Sequence, residues 1–327
     1  MAKTYVGIDV SYKEFWVAFC PDDKKTSLVK SFENNSTGFE ALLLWLQTYP
    51  NHSFHFVIEA TGAYHSRLAV HLWQADQVVS VVNPLTMKRY AQMCLWRSKT
   101  DSQDAQLICQ YGELHQPPAW QPPSEDSVKI KQVYTLYELL IKQKNQLTNH
   151  QHAQSQRAHI DEQVQTVVQQ EIEHLEDRIK EMAAYLDQLA QQQAPELYKN
   201  LLTIAGIGPK TACLLIAVTA KFENFEQAKA LIAYAGLAPR QYQSGTSVKG
   251  KAHICKMGMG QLRKLLYMCA LTAIKSNKAC QQLYQRLRQR GKLHRVALIA
   301  VAAKLLRQAF GVAKSGQAYE ENLAMGK

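Results

Sequence analysis

A chain of 327 residues, 46% of them hydrophobic and 20% charged, is long enough for two domains and too apolar to be disordered. Seven scattered cysteines with no Cys-x-x-Cys spacing exclude a disulfide framework and a zinc site, and the absence of an apolar signal core or an uninterrupted membrane-length apolar run reads as a cytoplasmic protein. The net charge of +11 points to polyanionic partners.

In chain order, Tyr5–Val10 reads as a strand ending in an acid, and Glu14–Phe19 and Leu28–Phe32 continue it as an antiparallel meander around the turn Pro21-Asp22-Asp23. Asn34-Asn35-Ser36-Thr37 then caps an amphipathic helix carrying Phe39, Leu42, Leu43 and Leu46. Phe54–Ile58 forms a fourth strand, ended by Glu59; a helix through Leu68, Leu72 and Trp73 follows, then the strand Val78–Val82, stopped by Asn83-Pro84. Thr100 caps a further helix running to about Leu114. Three strands, helix, strand, helix, strand, helix is the order of a ribonuclease H-like (RuvC-like) α/β domain, expected over residues 1–123.

That order turns separate acids into a constellation. Asp9 ends the first strand and Glu59 the fourth, while Asp101 and Asp104, three apart, share a face on the first turn of the later helix. In such a fold these positions converge at one end of the sheet. Carboxylates gathered there repel one another unless a hard cation such as Mg2+ offsets them, and paired ions would polarise a phosphodiester. Arg97 and Lys99, with Lys88 and Arg89 upstream, suit a polyanionic substrate. A solvated helix start whose acids favour the dipole is the competing reading of Asp101 and Asp104. Gly7-Ile8-Asp9-Val10-Ser11 also resembles the start of actin-like sugar kinases, but no second phosphate loop of Asp-x-Gly-Gly type follows.

Gln116-Pro117-Pro118-Ala119-Trp120-Gln121-Pro122-Pro123 should stop all regular structure. From Ser124 to residue 194 apolar residues recur at heptad spacing, first through Ile130, Val133, Tyr137, Leu140 and Leu147, then through Val168, Ile172, Leu175, Ile179, Met182, Leu186 and Leu189. The seam is polar from Gln151 to Gln165, which leaves open a helical hairpin or one long helix with a wet middle. A coiled coil here predicts homo-oligomers, a dimer or tetramer, unless it packs on the chain's own domains.

Residues 195–327 carry a different charge. Before Lys199 there are 17 Lys and Arg against 23 Asp and Glu; from there on there are 21 against 4, and none of the acids lies between Glu226 and Glu320. Phosphate neutralisation explains such a stretch better than solubility does. Leu201–Ala212 reads as helix, glycine turn and second helix, with Gly206, Gly208 and Lys210 placed to meet a backbone phosphate as a helix-hairpin-helix does. Further on, Ser244-Gly245 lies in a flexible loop with Arg240, Lys249, Lys251 and His253 near in sequence: a phosphate-binding loop first and a nucleophile second. Arg286, Arg288, Arg290 and Lys292 form a basic run expected to contact nucleic-acid backbone, before an apolar helix from Leu293 to Phe310.

Together Gly7-Ile8-Asp9, Ile58-Glu59-Ala60-Thr61-Gly62, Asn83-Pro84, Lys99-Thr100-Asp101 with Asp104-Ala105, Gly206-Ile207-Gly208, Ala235–Arg240 and Ser244-Gly245-Thr246-Ser247 resemble the DEDD-type insertion-sequence transposases, relatives of the pilin-gene invertase that include bridge-RNA-guided recombinases. The resemblance covers nearly the whole chain. It implies a RuvC-like domain with Asp9, Glu59, Asp101 and Asp104 as a metal-binding tetrad, a helical linker and a mostly α transposase domain. It also implies a nucleophilic serine at Ser244, with Ser247 the nearby alternative, a covalent phosphoserine link to DNA, an active site completed between partner subunits, and a structured RNA from the element pairing with donor and target DNA. Two rival readings stay open: a hydrolytic RuvC-like nuclease, in which Ser244 only binds phosphate, and a non-catalytic nucleic-acid-binding protein.

Overall fold

The computed structural model describes residues 2–21, 27–60, 62–96, 100–240, 243–244, 248–249, 253–255 and 257–321. The chain divides into two compact units, Met1–Pro122 and Pro123–Lys327.

The first unit is a five-stranded sheet with helices on both faces. Its strands are β1 (Ala2–Val10), β2 (Glu14–Phe19), β3 (Leu28–Glu33), β4 (His52–Glu59) and β5 (Val78–Val82), in the spatial order β3-β2-β1-β4-β5. The first three pair antiparallel, whereas β4 and β5 extend the sheet in parallel from β1, as the crossover helices require. This is the mixed sheet expected of a ribonuclease H-like domain. Helices α1 (Ser36–Gln47) and α2 (His65–Gln74) cover one face, where Val6, Ile8, Phe15, Phe19, Leu42, Phe56, Leu68 and Leu72 are buried together. Asn35 caps α1 by accepting a hydrogen bond from Gly38 N at 2.9 Å.

One helix was not expected. Asn83-Pro84 ends β5, as read above, and also starts α3 (Pro84–Met93): the Asn83 side chain accepts from Leu85 N at 2.8 Å, and Pro84 fits the first helical position, where no amide is needed. With α4 (Asp101–His115), α3 covers the opposite face over Tyr5, Val57 and Val82. The proline segment then runs without regular structure along β5, with Trp120 N donating to Val79 O at 2.7 Å.

In the second unit the heptad region is a hairpin. Helices α5 (Glu125–Ser155) and α6 (Glu162–Gln193) run antiparallel, joined by Lys144–Glu176 at 3.2 Å and by Gln151 Nε2 to Gln169 Oε1 at 2.8 Å. The chain reverses without Gly or Pro because Asp161 caps α6, accepting from Val164 N at 3.0 Å. The hairpin base is not a free-standing segment over 124–194: Ile130, Tyr134, Tyr137, Leu186 and Leu189 share one continuous core with α7 (Pro195–Leu202), α8 (Pro209–Thr219), α9 (Ala228–Tyr234), α10 (Gly260–Ser276), α11 (Lys278–Gln289) and α12 (His294–Ser315). Helix α12 is long and apolar enough to cross a membrane, yet Leu298, Val301, Ala302, Leu305 and Leu306 are fully buried in that core. All seven cysteines are free, four of them buried.

Candidate active site

The acid cluster follows from strand alternation and one glycine. Along β1, Val6, Ile8 and Val10 face α1 and α2, so Tyr5, Gly7 and Asp9 face α4. A β-carbon on Gly7 would lie 2.1 Å from Cys109 N and 2.3 Å from Ala105 O, so only glycine lets the α4 backbone lie on the strand. That close approach carries Asp104, the neighbour of Ala105, toward Asp9. The parallel register sets Ile8 opposite Ile58, and the next step sets Asp9 beside Glu59. Glu59 falls on the same face as Val57, which packs with the α3 and α4 side. Thr100 caps α4, its Oγ1 accepting from Gln103 N at 3.4 Å, so Asp101 and Asp104 both sit on the first turn.

The result is read at Asp9. Its pKa is pushed from 3.8 up to about 6, first by burial and then by the charges of Asp104, Glu59 and Asp101, against a lowering backbone hydrogen bond at Val10. All three other acids therefore act on one strand-end carboxylate. Among the described residues, no three Asp, Glu, His or Cys side chains are gathered closely enough to hold an ion as they stand. The two observations are compatible: like charges hold such groups apart while their field still reaches Asp9, and a hard divalent cation would draw them in. The donor chemistry fits that ion, being all carboxylate oxygen on a partly desolvated strand end. Sequence reading passed over Gln103, whose Oε1 is buried without a hydrogen-bond partner beside these acids in α4. Nothing in its local pattern marked it.

In the second unit Ser244 lies on a short paired strand: among the described residues β6 (Pro239–Arg240) pairs with β9 (His253–Ile254), and β7 (Gln243–Ser244) with β8 (Val248–Lys249), all antiparallel. Ser244 stands opposite Val248, and Arg240 opposite His253. Arg240 is exposed. Arg97, Lys99 and Lys251 lie outside the described residues.

Other predicted contacts sort unevenly. Lys210, on the first turn of α8, sets its Nζ 4.6 Å from the centre of the Tyr137 ring, so a cation–π contact already engages it. Gly206 serves packing: its φ is +106°, and a β-carbon there would meet Ala273 Cβ at 2.8 Å on α10. Gly208 is open and caps α8. Arg286 and Arg288 lie in the last turn of α11 and Arg290 caps it, all three exposed.

A DEDD transposase model of IS110 type matches residues 6–160, and the "Transposase IS116/IS110/IS902 family" matches residues 198–285. The chain is 35% identical to the pilin gene-inverting protein of Moraxella lacunata and 34% identical to that of Moraxella bovis, each over 99% of both chains. It is 25% identical to the transposase for insertion sequence element IS1328 of Yersinia enterocolitica, over 82% of this chain and 83% of that one.

Proposed function

Because the chain belongs to the IS116/IS110/IS902 family of transposases, enzymes that rearrange DNA, we propose that it does so through a serine-linked intermediate supported by the acid cluster. The observation that supports this reading is the placement of Asp9 and Glu59 at the ends of neighbouring parallel strands, with the first turn of α4, bearing Asp101 and Asp104, packed on the same strand through Gly7. Asp9, Glu59, Asp101 and Asp104 hold a divalent cation, of which Mg2+ suits an all-oxygen donor set. Bound there, it supplies Lewis-acid polarisation of a phosphodiester.

Ser244 Oγ forms a bond to phosphorus as the bond from phosphorus to the departing strand oxygen breaks. The serine proton passes to solvent and the departing oxygen gains one. The phosphoserine keeps the bond energy until another strand's hydroxyl displaces the serine. Arg240, Lys249 and Lys251 steady charge on the phosphate, while Arg97, Lys99, Lys210, Arg286, Arg288 and Arg290 contact backbone. The working form is a homo-oligomer, a dimer or tetramer, and an element-encoded RNA selects donor and target DNA by pairing.

The test is a covalent trap. Protein, cleavable DNA and Mg2+ are incubated and denatured; a DNA-linked polypeptide is expected, lost in Ser244→Ala and lost without a divalent cation. Robust cleavage by Ser244→Ala would replace this reading with the hydrolytic nuclease. Unchanged behaviour of Asp101→Asn in every assay would replace it with a non-catalytic binding protein.

A further inference from the structure

The turn joining α11 to α12 brings two exposed features together in the sequence. Arg286, Arg290, Lys292 and Arg295 are all exposed, in a stretch of chain from 227 to 319 that has no Asp or Glu. None of the four makes an ion pair among the described residues. Among these cations stands Leu293, 73% exposed.

The backbone presenting this leucine is tied down. Gly291 N donates to Arg288 O at 3.0 Å and Lys292 N to Leu287 O at 3.0 Å, with Gly291 at φ +74°. Arg288 Nη1 closes the turn by donating to Lys292 O at 2.7 Å. An exposed apolar tip on a tied turn, flanked in sequence by exposed cations, is complementary to one kind of surface: a polyanion with apolar ground between its phosphates. B-form DNA offers this in its minor groove, where phosphates flank deoxyribose faces that a leucine can pack against or wedge between. RNA lines the same groove with 2′-hydroxyls, which an apolar tip would desolvate without reward.

We propose that the α11–α12 turn is a duplex-DNA contact in which Arg286, Arg290, Lys292 and Arg295 hold phosphates while Leu293 enters the minor groove and bends the duplex. The inference rests on the DNA-acting reading above, yet needs neither the acids nor Ser244. It is tested with the full chain, chelator present, on a fluorescent DNA duplex of about 30 base pairs across 50–200 mM salt. In Arg286→Gln/Arg290→Gln the slope of log K against log salt falls by about 2. In Leu293→Ser affinity falls roughly tenfold with the slope unchanged, and end-to-end energy transfer reports a smaller bend. Binding to duplex RNA of the same sequence is indifferent to Leu293→Ser.

An unchanged slope, an unchanged bend, an equal loss on RNA, or no duplex binding by the unaltered protein overturns the proposal. So does a change of sedimentation in Leu293→Ser that accounts for the loss, since the leucine would then cover a second copy of the chain. A covalent trap run beside these measurements separates the readings. Adduct without turn-dependent binding sinks this inference alone, and turn-dependent binding without adduct leaves it standing while the serine chemistry falls.

Discussion

Replacing Asp9 by asparagine should make the cation-free protein more stable, not less. The Asp9 carboxyl has its pKa raised from 3.8 to about 6, so the folded state holds its proton more tightly than the unfolded chain does. Below about pH 4 both states are protonated and the side chain costs nothing; stability is lost as pH rises through about 6, and the penalty persists above that. A rise of that size corresponds to at most about 3 kcal/mol, and screening of a carboxylate that is only partly buried reduces this to roughly 1–2 kcal/mol. For a unit of 122 residues that is about 4–8 °C in melting temperature. Thermal melts of Asp9→Asn and the parent in chelator should therefore differ by that amount at pH 7.5 and coincide near pH 4. Adding Mg2+ should raise the parent's melting temperature and leave the variant's nearly unmoved. A variant that melts lower than the parent in chelator at pH 7.5, or gains as much from Mg2+, would refute the idea that Asp9 carries a burden a cation relieves.

The same cluster predicts an order: Asp104→Asn should lower the Asp9 pKa more than Glu59→Gln, and Glu59→Gln more than Asp101→Asn, as followed by carboxyl carbon chemical shifts across pH 3–8. Gly7→Ala should cost at least about 3 kcal/mol in urea unfolding, because the new methyl meets α4 backbone rather than a movable side chain. Gly206→Ala should cost roughly 2–4 kcal/mol by the same assay, through its positive φ and its contact with Ala273. Lys210→Met should lower stability by about 0.5–1 kcal/mol through loss of the Tyr137 contact; an unchanged melt would show that this contact adds nothing to the fold.

The sheet and the positions of the acids on it were legible because both rest on local signals. Apolar runs along β1 and β4, polar caps at Asn35 and Thr100, and an acid at the end of each of two parallel neighbours each announce themselves within a few residues. Gly7 was visible only as part of a motif. Its purpose depends on Ala105 and Cys109, some hundred positions away, and no local pattern carries that. Helix α3 is hidden because Asn83-Pro84 ends a strand and starts a helix with the same two residues, and only the second role needs the structure to be seen. The hairpin was undecided because its polar gap holds neither Gly nor Pro; the usable signal was Asp161, a cap in the middle of that gap.

Charge in the second unit was legible as a total but not residue by residue. The cations of this half are spread over several elements, Lys210 on α8, Lys264 on α10, Arg286 on α11 and Lys314 on α12 among them. What each already touches decides what it can offer. Lys210 lies over Tyr137, Lys264 pairs with Glu138 at 3.1 Å, and Lys314 donates to Phe222 O at 3.1 Å. Each of these would have to give up an internal contact to meet a phosphate, whereas Arg286 and Arg290, exposed and without an ion pair among the described residues, would give up only water. For equal charge the cheaper exchange wins, so backbone contact in this half should fall first to the α11–α12 turn.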